Sequence, residues 1–544
     1  MKRKITIRLL AVIFIIFFGL ALFYPMLVAF MRAFIADGQL SLDHFRAVFD
    51  KMPIGEVFMN SCLVALAAAC LSVFLAVNLA YAINYTRMNK QLKKLSAIVV
   101  MVPMLLPTIT YGFAIIYSIG NQGMVTRLFG VDAPNFYGFS GLMLGYTIYT
   151  LPVTYLMVNN AMKYIDSKYI LVSRLMGDNK LKTLWITLLV PLIPSAISAF
   201  IQAFFMSFTD YGIPSYIGGN YEVIATTLYN QMLGTIPNFN HGAVTAIFML
   251  LPAILSMILL YFLGRDDIAY ESVQKIEVEK NTPRDAFFSC YSVLLMLFIL
   301  VIFVPIFIVP FTQSWPYNMG FTLDHLASAF KDSGVMRSYR NSIMISAIVA
   351  VLGTLLAYLA AVATVRSNLN KGIKNVINVL SIISNTIPGM VLGLAMLLAI
   401  NGTFLKGSFI ILIVANIVHY FSTPYLTLKN TLAKLSRSWE TSAALMGDTF
   451  LDTIARIITP NILSSLWEVV SYYFINSMVT VSAVILLYST RTILITTKIK
   501  ELQYYNNFNE VFILSIMLFL TNVLARVVFN YLSERKKAKG GNAA

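Results

Sequence analysis

Few side chains in this sequence are placed to do chemistry, and those few favour recognition over catalysis. The stretch Ser207-Phe208-Thr209-Asp210-Tyr211-Gly212 sets a lone carboxylate near the end of a long apolar run. Ionisable groups in such runs are costly and default to functional candidates. Asp210 suits an ammonium group or a cation there; equally, it can cap a helix end or bond neighbouring backbone. At the matching place in the second half stands Thr480, flanked by Ser477 and Ser482. Ser207, Thr209, Asp210, Tyr211, Ser477, Thr480 and Ser482 are therefore the candidate polar lining of a pathway along these two runs. Catalytic sets are missing. There is no G-x-x-x-x-G-K-[ST] phosphate loop, no paired carboxylates, and no Ser/His/Asp or Cys/His set at plausible spacing. His241 and His419 are isolated, so no metal-ligand cluster is expected. Cys62, Cys70 and Cys290 fall in apolar runs and read as small packing residues.

The stronger signal is a pattern that occurs twice. Residues 169–191 and 440–460 each contain Leu-Met-Gly-Asp, at Leu175–Asp178 and Leu445–Asp448. Pro191 follows Gly177 by 14 residues and Pro460 follows Gly447 by 13, each just before an apolar run. The first part of each segment reads as a short helix with small residues: Ser173, or Ser442, Ala443 and Ala444. Each glycine can break a helix or permit close backbone approach. A second short helix follows, and the proline opens the next run, where a missing N–H costs little. Helix, glycine turn and helix make a compact knob, suited to a groove on a soluble partner.

The elements that must carry these knobs are membrane spans. The 544 residues are 58% hydrophobic and 12% charged, with mean hydropathy +0.76; a soluble domain carries roughly twice that charged fraction. Apolar stretches of about 18 residues or more, each long enough to cross a bilayer, recur throughout. In lipid the backbone must satisfy its own hydrogen bonds, which predicts an all-α polytopic membrane protein. Twelve spans are expected, at about 9–31, 58–84, 95–119, 138–160, 186–212, 242–264, 287–311, 341–365, 375–400, 407–428, 461–487 and 509–532. The basic N-terminus with its apolar run reads as a span, since the run exceeds a signal-peptide core and no small-x-small site follows. The net charge of +16 reflects orientation and does not point to nucleic acid. Arg87, Lys90, Lys93 and Lys94, with Arg535, Lys536, Lys537 and Lys539, put both termini in the cytoplasm by the positive-inside rule.

The repeat covers the chain. Leu42-Asp43-His44 recurs at 323–325, Asn60-Ser61 at 341–342, and Pro107 with Gly112 at 388 with 393, each 281 positions on. The Leu-Met-Gly-Asp pairs differ by 270, because the loop at 120–137 is longer in the first half. Same-order repeats predict parallel halves related by an axis along the membrane normal. The expected domains are 1–264 and 287–544, joined by the charged linker 265–286. Ser41 and Thr322 are expected to cap short surface helices holding His44 and His325.

The twin segments resemble the EAA loop of bacterial ABC-importer permeases, roughly Glu-Ala-Ala, three residues, Gly, nine residues, Ile-x-Leu-Pro. Gly447, Ile457 and Pro460 stand at the family's distances and Ala443 on an Ala position. Thr441 holds the Glu position, with Glu440 just before it. In the first half Leu171-Val172-Ser173 replace Glu-Ala-Ala and Pro191 falls one residue late. The resemblance implies a type I importer permease with both transmembrane domains fused, in a bacterial inner membrane. Its ATPase-docking residues would be Ser173, Gly177, Asp178, Pro191, Glu440, Ala443, Ala444, Gly447, Asp448 and Pro460. Two cytoplasmic ATPase subunits would use ATP and Mg, an external substrate-binding protein would deliver the solute, and this chain would hold no cofactor. The 6+6 layout is similar to permeases for ferric iron, thiamine and organophosphonates. Residues 208–231 and the run Val481-Ser482-Ala483-Val484-Ile485 resemble permeases for 2-aminoethylphosphonate, the expected cargo, with ferric iron or thiamine/polyamine as alternatives. A secondary transporter with 6+6 repeats would need a basic Gly-Asp-Arg-type loop, which 85–94 lacks.

Overall fold

The structure is a computed structural model that describes residues 2–130, 136–165, 168–263 and 281–541. Most of the expected linker therefore lies outside the described residues. Among the described residues, eight helices are long and apolar enough to cross a membrane, and two sharply bent pairs raise the number to ten. The two remaining expected spans are broken. Segment 95–119 is divided into Lys90–Val99, the 3-10 turn Val102–Leu105 and Thr108–Ile119, because Pro103 and Pro107 cannot donate a helical hydrogen bond. Segment 461–487 is helical only over Leu463–Val479 and stops at Thr480. The same effect at Pro388 bends the segment around 375–400 by 109°.

Contacts divide the chain into two compact units that cut across the sequence halves. One comprises Lys51–Thr227 and Leu251–Leu323; the other comprises Met1–Asp50, Leu228–Leu250 and Asp324–Ala544. In the first, Ile54–Tyr85 packs on Phe139–Lys163 and Val190–Thr209. Its buried stripe is small: Ser61, Ala65, Ala68, Ser72, Ala76 and Ala80. Small residues three or four apart on one face let helix backbones approach closely. Ser72 Oγ meets Thr154 Oγ1 at 2.8 Å, a bond of about 0.6 kcal/mol by the average for interhelical pairs in membranes. In the second unit Ser333–Val365 packs on Ser422–Lys434 and Leu463–Val479 with an equivalent stripe, Ser342, Ser346, Ala350, Gly353, Ala357 and Ala361. Gly353 is obligatory, since a Cβ there would lie 2.7 Å from the Tyr473 ring.

The leading helix of each sequence half packs against helices of the other half. Lys2–Phe18 touches Ser333–Val365 and Lys371–Ile383, and Tyr24–Phe34 lies on Gly389–Ala399. Phe14 and Phe18 close on Phe421 with ring centroids 5.6 and 4.8 Å apart. Correspondingly, Thr282–Ile308 lies on Thr108–Ile119 and Ile54–Tyr85. Tyr291 Oη donates to Leu75 O at 2.9 Å and Ser118 Oγ to Val301 O at 2.8 Å.

Several repeated sequence pairs are structural pins. Ser61 Oγ accepts from the Ile224 N–H, and Ser342 Oγ from the Ile495 N–H, each at 2.8 Å. They satisfy orphan donors at the starts of Ile224–Leu233 and Ile495–Tyr504. The Leu-Asp-His triplets lead into surface helices Asp43–Lys51 and Asp324–Lys331, and Ser41 Oγ accepts from the Asp43 N–H at 3.0 Å. A ring nitrogen of His44 meets Ile35 O at 3.1 Å and His325 meets Asn509 at 3.2 Å, so both imidazoles serve local structure. Two small hairpins, Ile35–Ala36 with Gln39–Leu40 and Thr312–Ser314 with Asn318–Phe321, hold the strands among the described residues. Cys70 and Cys290 are exposed on their unit, not packed inside it as expected, and Cys62 is half-buried.

Candidate functional site

The first twin segment folds as a short helix, Lys168–Leu175, a glycine turn, and a second helix, Lys180–Leu184. Gly177 sits at φ +79°, and a Cβ there would meet nothing within 4 Å among the described residues. The glycine is needed for its left-handed backbone, not for close approach. Ser173 is buried; its Oγ donates to Asp178 Oδ2 at 2.8 Å and to Thr183 Oγ1 at 3.1 Å. The Asp178 N–H returns to Ser173 O at 3.1 Å. Lys182 Nζ lies 2.6 Å from Asp178 Oδ1. The Lys182 ammonium and the Ser173 hydroxyl hold the Asp178 carboxyl below its usual range. Asn179 caps the second helix by accepting from the Lys182 N–H at 2.8 Å.

The second segment has the same backbone and different bonds. Ser438–Leu445 is followed by Gly447 at φ +87°, again in open space, and then Phe450–Thr453. Ala443 is fully buried, and the Asp448 N–H donates to its carbonyl at 3.0 Å. Ala444 lies on the same short helix. Thr449 and Asp452 form a reciprocal capping box. In both segments the tip is apolar and open: Leu175 and Met176 are 80% and 77% exposed, Leu445 and Met446 85% and 74%. Fixed apolar side chains at a rigid turn are what a partner's groove can bury.

Each knob joins the following span through a widened turn. Trp185–Leu189 and Ile454–Ile458 are single π turns, with the Val190 N–H bonded to Trp185 O and the Thr459 N–H to Ile454 O. Pro191 and Pro460 follow at once, at the second position of the next helix. Proline has no N–H to offer the carbonyl four residues back, and the wider turn accommodates that loss.

One contact at the second segment has no counterpart in a local sequence pattern. Arg366, whose side chain is 2% exposed, lies 3.3 Å from Glu440 Oε1 and donates to the carbonyls of Leu432, Leu435 (2.6 Å) and Ser436 (3.4 Å). Glu440 is thus turned onto its own chain. The available signal was a buried-span arginine matched in the repeat by a tyrosine, Tyr85.

The candidate pathway residues gather at a break in each of the spans that follow the knobs. Val190–Thr209 ends at Asp210 and Leu463–Val479 ends at Thr480. Asp210 is buried and accepts hydrogen bonds from the Ile213 N–H at 2.9 Å, from the Gly212 N–H and from the Thr108 hydroxyl. It therefore closes the turn after the helix. Thr480 Oγ1 donates to Asn476 O at 2.7 Å and meets Tyr420 Oη at 2.6 Å, while Thr480 O accepts from Thr496 Oγ1 at 2.7 Å. Thr209 Oγ1 bonds Phe205 O at 2.9 Å, and Tyr211 is fully buried. Ser207 and Ser477 are buried with hydroxyls that bond nothing among the described residues. A Cβ on Gly389 would lie 2.5 Å from Ser482 Oγ. Glu468 meets Ser533 Oγ at 3.4 Å.

Comparison with known proteins bears on these arrangements. The family model described as binding-protein-dependent transport system inner membrane component matches residues 68–266 and 353–538. A Haemophilus influenzae protein named as a ferric transport system permease, FbpB 1, is 24% identical over 506 residues, 90% of this chain and 79% of that protein. The ferric transport system permease protein FbpB of Actinobacillus pleuropneumoniae is 24% identical over 501 residues, 89% of this chain and 72% of that one. Among solved structures, a chain of a bacterial ABC transporter involved in import of the acidic polysaccharide alginate is similar at TM-score 0.40 and 16% identity, covering 46% of this chain and 96% of that chain.

Proposed function

We propose, from the premise that this chain belongs to the binding-protein-dependent transport system inner membrane components, that its twin knobs dock two ATPase subunits. Membership makes the chain a permease subunit of an ABC importer and a multi-pass protein of the inner membrane. It also sets aside the secondary-transporter alternative. The observation that carries docking is the pair of exposed tips, Leu175-Met176 and Leu445-Met446, on equally turned knobs that each lead directly into a span. Both termini and both knobs face the cytoplasm in this reading. ATP and Mg belong to the partner ATPases, and an extracytoplasmic binding protein delivers a small solute. ATP binding draws the ATPases together, the knobs follow, and the spans behind Pro191 and Pro460 move with them.

For the cargo, the names carried by the relatives favour ferric iron. The phosphonate reading rests on residues 208–231 and, more, on the Val481–Ile485 run. Yet Ser482 and Ala483 lie against Gly389 and Gly393, where an added Cβ would come within 2.5 Å and 3.0 Å of them. That run answers first to packing, so it speaks weakly for 2-aminoethylphosphonate.

The test is co-purification with candidate ATPases, comparing wild type with Gly177→Arg plus Gly447→Arg. The wild type should retain an ATPase pair and the inserted double variant should not. Transport by the chain alone in liposomes without ATP would defeat the proposal.

A further inference from the structure

The two knobs are attached to the protein differently, and the difference can be read position by position. The halves share a register at the ends of their small-residue helices. Lys93 Nζ donates to Thr86 O and Lys374 Nζ to Ser367 O, both at 2.6 Å. Asn89 caps Gln91 N–H and Asn370 caps Gly372 N–H. With the 281-residue offset, Arg366 corresponds to Tyr85 (366 − 281 = 85), and Tyr358 to Val77 (358 − 281 = 77). With the 270-residue offset, Leu432 corresponds to Met162 and Glu440 to Ile170; past the one-residue shift that separates Pro191 from Pro460, Thr459 corresponds to Val190. Tyr85 Oη donates to Met162 O at 3.4 Å, which is the counterpart of the Arg366 bond to Leu432 O.

At the second knob, Arg366 continues past that carbonyl to Glu440 on the knob's first helix. Two turns back on the same helix, Tyr358 Oη meets Thr459 Oγ1 at 2.7 Å, and Thr459 Oγ1 donates to Ile454 O across the widened turn. The second knob is thus held to Ser333–Val365 at its entry and its exit. At the first knob the four positions are Tyr85, Ile170, Val77 and Val190. None can form an ion pair with another, and valine and isoleucine offer no side-chain hydrogen bond. Among the described residues, the first knob is instead closed on itself by Ser173, Asp178 and Lys182.

We propose that Arg366 is a positioning residue that makes the second knob and the Ser333–Val365 helix move as one body, whereas the first knob moves relative to Ile54–Tyr85. The importer would then receive the ATPase stroke unequally in its two halves. This rests on the docking reading above. The physical ground is that a buried guanidinium holding four oxygens has one arrangement in which its charge is compensated, and leaving it costs far more than sliding apolar side chains past each other.

The experiment is electron–electron distance measurement on the full chain with its ATPases in nanodiscs, with Cys62, Cys70 and Cys290 replaced by serine. One label pair is Leu451→Cys with Leu355→Cys; the other, at equivalent positions, is Leu181→Cys with Phe74→Cys. All four sites are exposed and carry no bond of the clamp. Adding Mg-ATP with vanadate should leave the 451/355 distribution unchanged and shift or broaden the 181/74 distribution. Glu440→Gln, which keeps the carbonyl bonds of Arg366, should make the 451/355 pair respond like the other. Arg366→Lys should give an intermediate response. The proposal is overturned if the 451/355 pair already shifts in wild type, or if it stays fixed in Glu440→Gln. Loss of ATPase binding by the wild type would instead defeat the docking reading. The same labels on the chain alone would still report whether Glu440→Gln loosens the second knob.

Discussion

Ser173 Oγ donates to Asp178 Oδ2 over 2.8 Å, spanning the glycine turn of the first knob from a buried position. Lys182 completes the bridge from the far side at 2.6 Å. The knob's shape therefore depends on a carboxylate that stays ionised. Asp178 is held below its usual range, so its contribution is fully present above the ordinary aspartate pKa of about 3.9 and is lost as pH falls through the lower folded value. Hydrogen-exchange protection of amides 173–178, corrected for intrinsic rates, should stay level from neutral pH to about 4 and fall only below it. In Lys182→Met the fall should begin at higher pH. Protection that is lost already near pH 6 would contradict the bridge.

Backbone conformation makes a separate prediction for the glycines. Gly177 and Gly447 sit at φ +79° and +87° with open space around a Cβ, so alanine costs only the left-handed strain, roughly 1–2 kcal/mol. Valine should cost more, and asparagine, which tolerates this region, less. ATPase retention in pull-down titrations should therefore rank Gly, Asn, Ala, Val, with membrane yield unchanged. A valine variant that binds like wild type would show the turn to be dispensable.

The tips predict a clean separation of stability from binding. Leu445 and Met446 are 85% and 74% exposed, so Leu445→Ser should change the chain's own stability by no more than about 0.5 kcal/mol. If the tip is buried in a partner, losing one leucine there removes about 1.5–3 kcal/mol, or roughly one to two decades in affinity. Leu175→Ser should behave alike. Thermal stability of the detergent-solubilised chain and ATPase affinity by titration check the two halves of the statement. An unstable variant with unchanged affinity would reverse the assignment.

What the sequence made legible was whatever repeats locally. The Asn-Ser and Leu-Met-Gly-Asp pairs mark real equivalences because each acts within a few turns of chain or at one fixed helix start. The breaks at Pro107 and at Thr480 were missed because a hydropathy run continues through them; apolar composition measures length, not straightness. The packing of Lys2–Phe18 on Ser333–Val365, and of Arg366 on Glu440, lies at separations that no period reports. The Val481–Ile485 run looked like a cargo signal, yet it is constrained by contact with Gly389 and Gly393.

Asp210 separates the cation reading from the capping reading. Its carboxylate accepts from the Ile213 and Gly212 N–H groups and from Thr108, which identifies it as the acceptor that closes the break after Val190–Thr209. Removing the acceptor leaves buried N–H groups unsatisfied, at about 1–3 kcal/mol each. Asp210→Ala should therefore lower the yield of folded protein, whereas Asp210→Asn keeps one acceptor oxygen and should restore most of it. Transport then decides the rest. If capping is the whole role, Asp210→Asn carries solute at near wild-type rate once corrected for protein in the membrane. If the carboxylate also meets a cationic cargo, the asparagine variant folds and binds ATPases that still hydrolyse ATP, yet its uptake of ferric iron from the loaded binding protein drops at least about tenfold, the loss of one charge-assisted bond of about 1.5–3 kcal/mol.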